Sequence, residues 1–99
     1  MGSKSRRKGA RIELEVLHQL QDAGLAAEKL SYAWKETHDL CVSVGDRHLA
    51  GEVKARANGF KTIYKWLERI DILFLRADRS ETLAVLPLET LIELIKFKG

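Results

Sequence analysis

His38-Asp39-Leu40-Cys41-Val42-Ser43-Val44-Gly45-Asp46-Arg47-His48-Leu49-Ala50-Gly51-Glu52-Val53-Lys54 is the stretch on which the reading of this chain turns. Apolar residues recur at every second place on both sides of Gly45-Asp46, and those two residues tolerate the backbone of a tight turn, so the stretch predicts a β-hairpin. In the first strand Leu40, Val42 and Val44 share one face, with Asp39, Cys41 and Ser43 on the other. In the second strand Leu49, Gly51 and Val53 share a face, which leaves Ala50, Glu52 and Lys54 opposite. Asp39, Glu52 and Lys54 are thereby expected to converge on one side of a small sheet. Two carboxylates and an ammonium so placed suit a divalent cation and a phosphate.

Upstream, residues 10–24 repeat Ile12, Val16, Leu17, Leu20 and Ala23 at intervals of three and four and stop at Gly24, which predicts a helix. At 100° per residue Glu13 falls on the inward face, whereas Glu15 shares the outward one with Arg11, His18 and Asp22. An inward carboxylate needs a partner or a metal, or else it caps the helix N-terminus, where negative charge is favoured. Leu25 to Trp34 reads as a weaker strand whose Tyr32 and Trp34 either pack on the sheet or stack on a base.

Downstream, Ala55 to Gly59 forms a turn. A helix follows with Phe60, Ile63, Tyr64, Leu67 and Ile70 inward, and Lys61, Lys65 and Arg69 outward. Asp71 to Arg76 is a continuous apolar run, the mark of a strand buried on both faces. Ala77 to Glu81 is a charged turn and Thr82 to Leu86 another strand. Pro87 opens a last helix that packs through Leu88, Leu91, Ile92 and Ile95. The predicted order is helix, three strands, helix, two strands, helix. It describes an α/β sandwich with a mixed sheet of about five strands.

The 99 residues suit one domain, residues 1–99, with a basic arm over residues 1–8. No apolar run approaches the ~20 residues that span a bilayer, so no membrane association is expected. A lone Cys41 cannot form an internal disulfide, which places the chain in a reducing cytoplasm. The formal charge is only +3, but Lys4, Arg6, Arg7, Lys8 and Arg11 crowd the N-terminus. Such a cluster suits a polyanionic backbone through counterion release. There is no glycine-rich phosphate loop, zinc spacing or nucleophile elbow, and so no small-molecule cofactor is expected.

What remains is acids with a lysine. Phosphodiester hydrolysis needs a cation that neutralises a nonbridging oxygen and lowers the pKa of a bound water. Hard cations such as Mg²⁺ take one or two carboxylates and keep several waters. Asp39 and Glu52 supply the carboxylates and the backbone carbonyl of Val53 a third oxygen, while Lys54 holds the water or the developing charge.

The pattern Lys8-Gly9-x-x-x-Glu13-x-Glu15, the Asp39-Leu40 strand and the Glu52-Val53-Lys54 strand together resemble the PD-(D/E)XK nuclease superfamily, and within it the archaeal-type Holliday junction resolvases. The resemblance covers residues 8 to about 56. It departs from the usual pattern where His38 replaces the proline before the motif aspartate, and the half after Lys54 does not match clearly. The resemblance implies a restriction-endonuclease-like three-layer core and Mg²⁺-dependent cleavage of branched DNA, with Mn²⁺ able to substitute, by a homodimer. Carried over by position, it makes Glu13, Asp39 and Glu52 metal ligands and Lys54 the catalytic lysine. Arg6, Arg7, Lys8, Arg11, Arg56 and Lys61 would contact DNA, and Ser31 lies where such resolvases often carry a serine near the site. A minimal nuclease of phage type acting on flaps, single strands or duplex fits the same residues, as does a noncatalytic nucleic-acid-binding domain.

Overall fold

The computed structural model describes residues 2–30 and 39–97, with side chains from residue 8 onward. Its elements run α1 (Gly2–Asp22), β1 (Ala26–Lys29), β2 (Leu40–Val44), β3 (Arg47–Gly51), α2 (Lys61–Leu67), β4 (Leu73–Leu75), β5 (Leu83–Val85) and α3 (Leu88–Lys96). This is a small α/β protein, and its order of elements is the predicted one. The residues form two compact units, Met1–Ala55 and Arg56–Gly99.

In the first unit the hairpin forms as its sequence dictates. Gly45 takes φ +59° at the first of the two turn residues, while Asp46 keeps a negative φ. That pattern suits a turn with glycine at its first central position, whose twist matches the flanking strands. β2 pairs antiparallel with β3, Leu40 facing Gly51 and Val42 facing Leu49. β1 pairs antiparallel with β2, Ala27 facing Val42 and Lys29 facing Leu40. α1 lies against the face that carries these pairs. Leu17, Leu20, Ala27 and Leu40 form the core there, with Leu20 and Leu40 each only 4% exposed. Burying a leucine so fully contributes about 2 kcal/mol. Gln21 donates from Nε2 to the Ala27 carbonyl at 2.8 Å, which ties the end of α1 to β1.

Three local expectations change. The helix begins at Gly2 rather than Ala10, so residues 2–8 of the expected basic arm are helical; once a helix is nucleated, each further turn costs little. The first strand is Ala26–Lys29, shorter than the predicted Leu25–Trp34; Ser31, Tyr32, Trp34 and His38 lie outside the described residues. The second hairpin strand ends at Gly51, so Glu52 and Lys54 follow β3 instead of standing within it.

The second unit departs further. β4 pairs with β5 antiparallel, Phe74 facing Ala84, and the described strands fall into one sheet of three and one of two. Among the described residues all the pairing is antiparallel and no ladder joins the two sheets, so the expected single mixed sheet of five strands is not observed. β4 and β5 meet over the short turn Arg76–Thr82, a local closure that costs little entropy and favours antiparallel pairing. Within that turn Arg79 takes φ +60° and Arg76 donates from Nε to the Ser80 carbonyl at 3.1 Å. The apolar run expected to be buried on both faces has one dry side only: Leu73 and Leu75 are half-buried, but Phe74 is exposed.

The two helices of this unit bury no side chain fully. α2 meets the end of β5 and the start of α3 around an apolar hollow of about 360 Å³ lined by Phe60, Ile63, Leu67, Val85 and Leu88 among others. Tyr64 and Ile70, expected inward, are exposed, as is Leu91 in α3. Pro87 stands one place before the helix, as its N-cap.

Candidate functional site

The ladder between β2 and β3 changes at its open end. Leu40 faces Gly51, yet the Asp39 N–H also donates to the Gly51 carbonyl, at 2.9 Å. Two consecutive residues of one strand thus oppose a single residue of the other, which is a β-bulge, a device that re-aims a side chain. On its other side Asp39 continues the β1 ladder, its carbonyl accepting the Leu30 N–H at 3.1 Å.

Strict alternation would turn Asp39 to the face opposite Leu40. The Asp39 carboxylate reaches the chain that continues β3, where Oδ2 accepts the Val53 N–H at 2.8 Å. Backbone dimensions then hold that oxygen within about 5 Å of the Glu52 Cα. Asp39 and the Glu52-Val53-Lys54 triplet, fourteen residues apart in sequence at Asp39 and Val53, are joined by one charged acceptor in place of a backbone carbonyl. Charge-assisted bonds of this kind are roughly twice as strong as neutral ones.

Gly51 is part of the same device. A Cβ built on it would stand 2.9 Å from Leu40 Cδ1, so a side chain at 51 meets the most buried residue of β2. The glycine here serves close approach of two strands rather than a special φ.

The other groups are placed as follows. Glu52 Oε2 and Lys54 Nζ pair at 2.6 Å, both well exposed to solvent. Glu13 is inward, as its helical position predicts: its side chain is only 17% exposed and lies 3.9 Å from Lys29 Nζ. It lines a cavity of about 160 Å³ with Ala10, Leu14, Leu17, Lys29 and Leu40. Leu40 thus borders both the Glu13 cavity and, through the backbone, Asp39. Glu15, Arg11, His18 and Asp22 are exposed, as expected. Among the basic residues expected at DNA, Lys8 is half-buried, and Arg11, Arg56 and Lys61 are exposed. Arg6 and Arg7 lie in α1.

The structure therefore brings Asp39 to the triplet and sets Glu13 beside Lys29. Among the described residues no three His, Cys, Asp or Glu side chains form a group able to hold a metal together. Sequence reasoning missed the Lys29 partner of Glu13, although a lysine in the adjoining strand was the available signal. It also missed the Ser43 Oγ to His48 Nδ1 hydrogen bond, at 2.9 Å, which the hairpin register makes a direct cross-strand pair.

The bond to Val53 carries a stability prediction. Asp39→Ala removes the acceptor that the Val53 N–H uses, and should lower the unfolding free energy by about 1–2 kcal/mol. Asp39→Asn keeps a side-chain oxygen in reach and should lose clearly less. Urea unfolding at constant slope measures both; equal midpoints for the two variants would show the bond to be idle.

Among the described residues no helix is long and apolar enough to cross a membrane. Comparison of the chain with protein-family models, with curated proteins and with solved structures finds no match.

Proposed function

We propose that this chain is a metal-dependent DNA endonuclease of PD-(D/E)XK type, acting on branched DNA in the manner of a Holliday junction resolvase. The observation that carries this reading is the Val53 N–H to Asp39 Oδ2 bond at 2.8 Å, because it joins the two sequence-remote parts of the acid-and-lysine pattern. Asp39 and Glu52 would hold Mg²⁺ or Mn²⁺, with the Val53 carbonyl beside them. The cation would supply charge neutralisation at the phosphate and a water of lowered pKa. Lys54, paired with Glu52 at 2.6 Å, would lend its ammonium to the developing negative charge. Glu13 would act from its cavity by holding Lys29, and through Leu40 by supporting the strand that carries Asp39.

The homodimer, the recombination or repair role and the cytoplasmic setting belong to the same proposal, resting on the resemblance and on the single cysteine.

A second reading is a noncatalytic nucleic-acid-binding domain. It is favoured by a specific observation: Glu13 and Glu52 each already have a lysine of the protein's own. The two readings part on metal and substrate. With Mg²⁺ the nuclease should cut a four-way junction faster than its separate linear arms. At a hundred-fold excess over Kd, a bound cation should also add about 2.7 kcal/mol of stability. Cutting the linear arms equally well would shift the substrate to unbranched DNA. No cutting and no metal-dependent rise in Tm would leave only the binding domain.

A further inference from the structure

The three-four spacing of apolar residues assigns Tyr64 to the inward side of α2 with Phe60, Ile63 and Leu67. Those three are half-buried, but Tyr64 is 73% exposed. On a helix Lys61, Tyr64, Lys65 and Glu68 fall within one arc of about 100°. The four residues, with Thr62, line an open hollow of about 460 Å³. Lys61 and Lys65 are exposed and take part in no ion pair among the described residues. Standing four places apart, they repel each other, and Glu68 is the only acid that lines the hollow. Tyr64 borders the apolar hollow of Phe60, Ile63 and Leu67 on one side, yet most of the residue stays open to solvent. Its open part, bracketed by two such ammonium groups, has room for a flat apolar partner with negative charge on either side of it. A nucleotide whose base is out of the stack is such a partner, since any base offers a π-face and its phosphates flank it. A duplex offers the phosphates alone, its base faces being covered.

We propose that the exposed face of α2 binds an unpaired nucleotide of the DNA substrate, with Tyr64 stacked on the base and Lys61 and Lys65 on the flanking phosphates. This site rests on the nucleic-acid reading above but not on catalysis, and it needs a base that is out of the stack, which flaps and single strands offer and a fully paired arm does not.

The test uses the full chain in EDTA, with a labelled oligothymidylate and a blunt duplex of equal length read by fluorescence anisotropy. Tyr64→Ala should weaken the single strand by about ten-fold and the duplex by less than about two-fold. Tyr64→Phe, which keeps the ring, should stay near the wild type. Lys65→Gln should lower the slope of log affinity against log salt by about 0.7 for the single strand. The proposal is overturned if Tyr64→Ala binds the single strand as the wild type does, if Phe loses as much as Ala, or if duplex and single strand fall together. Displacement of the oligothymidylate by polyglutamate as readily as by unlabelled strand would overturn it as well, by showing charge without stacking. Cleavage with Mg²⁺ is scored separately. A chain that never cuts but needs Tyr64 for the single strand retains this site, and a chain that cuts with no dependence on Tyr64 loses it alone.

Discussion

Lys54→Ala is expected to slow Mg²⁺-dependent cleavage of a four-way junction by about 10²–10⁴-fold, the range for removal of a positioned acid-base or charge-stabilising group. The substitution is clean because the Lys54 side chain is 59% exposed, so the fold has little to lose. An exposed ion pair such as that with Glu52 is worth about 0–1 kcal/mol, and Tm should hardly move. Asp39→Asn should show a comparable loss of rate, since it removes the charge that a cation needs while keeping an acceptor for Val53. The pair of variants therefore separates chemistry from scaffold: activity falls in both while stability is largely kept. Cleavage by both at the wild-type rate would remove the nuclease assignment altogether.

The largest effect on stability is expected at Leu40. It is 4% exposed, and Leu40→Ala should cost about 2–5 kcal/mol through lost transfer energy and an enlarged cavity. Its partner is Gly51. Gly51→Ala places a methyl 2.9 Å from Leu40 Cδ1, but Leu40 borders a cavity of about 160 Å³ into which its side chain can tilt. An off-rotamer tilt costs about 1 kcal/mol, so Gly51→Ala should be mildly destabilising rather than ruinous. In the double variant the clash has no target, and the cost of Gly51→Ala should vanish. Denaturant midpoints of the four proteins give the coupling directly. Strict additivity would mean that the close approach of these two strands is not what holds Gly51 as glycine. Because Leu40 adjoins Asp39, its truncation should also loosen the bulge and lower any cleavage in proportion.

These two sets of variants fall on different kinds of sequence information. Gly45-Asp46 and the alternation around it are local: the turn sets the register, and a slip by one residue would flip every apolar side chain of the hairpin outward. The pairing of Leu40 with Gly51 and Val42 with Leu49 was accordingly legible in the order of residues alone. So was Glu13, whose inward position follows from helical spacing. The bulge at Asp39 was not legible, since one extra residue in a ladder leaves no mark in the alternation that precedes it. Asp39 and the triplet are linked by a hydrogen bond from the Val53 N–H, not by a shared strand face, because β3 ends at Gly51. The exposure of Tyr64 escaped as well. It stands at the border of the apolar arc of α2, where periodicity does not decide between core and solvent. Nor does the apolar run Asp71 to Arg76 reveal that Phe74 would face outward, because a continuous run carries no alternation.

The order of helices and strands, the hairpin with its turn and register, and the inward glutamate of α1 are thus written in the linear chain. Each depends on interactions between residues close together along it. How the strands divide between sheets, that Lys29 receives Glu13, and that the Asp39 carboxylate reaches Val53 emerge only on folding. Those outcomes depend on which distant segments meet, and their energies are set by packing and by where the backbone hydrogen bonds are completed.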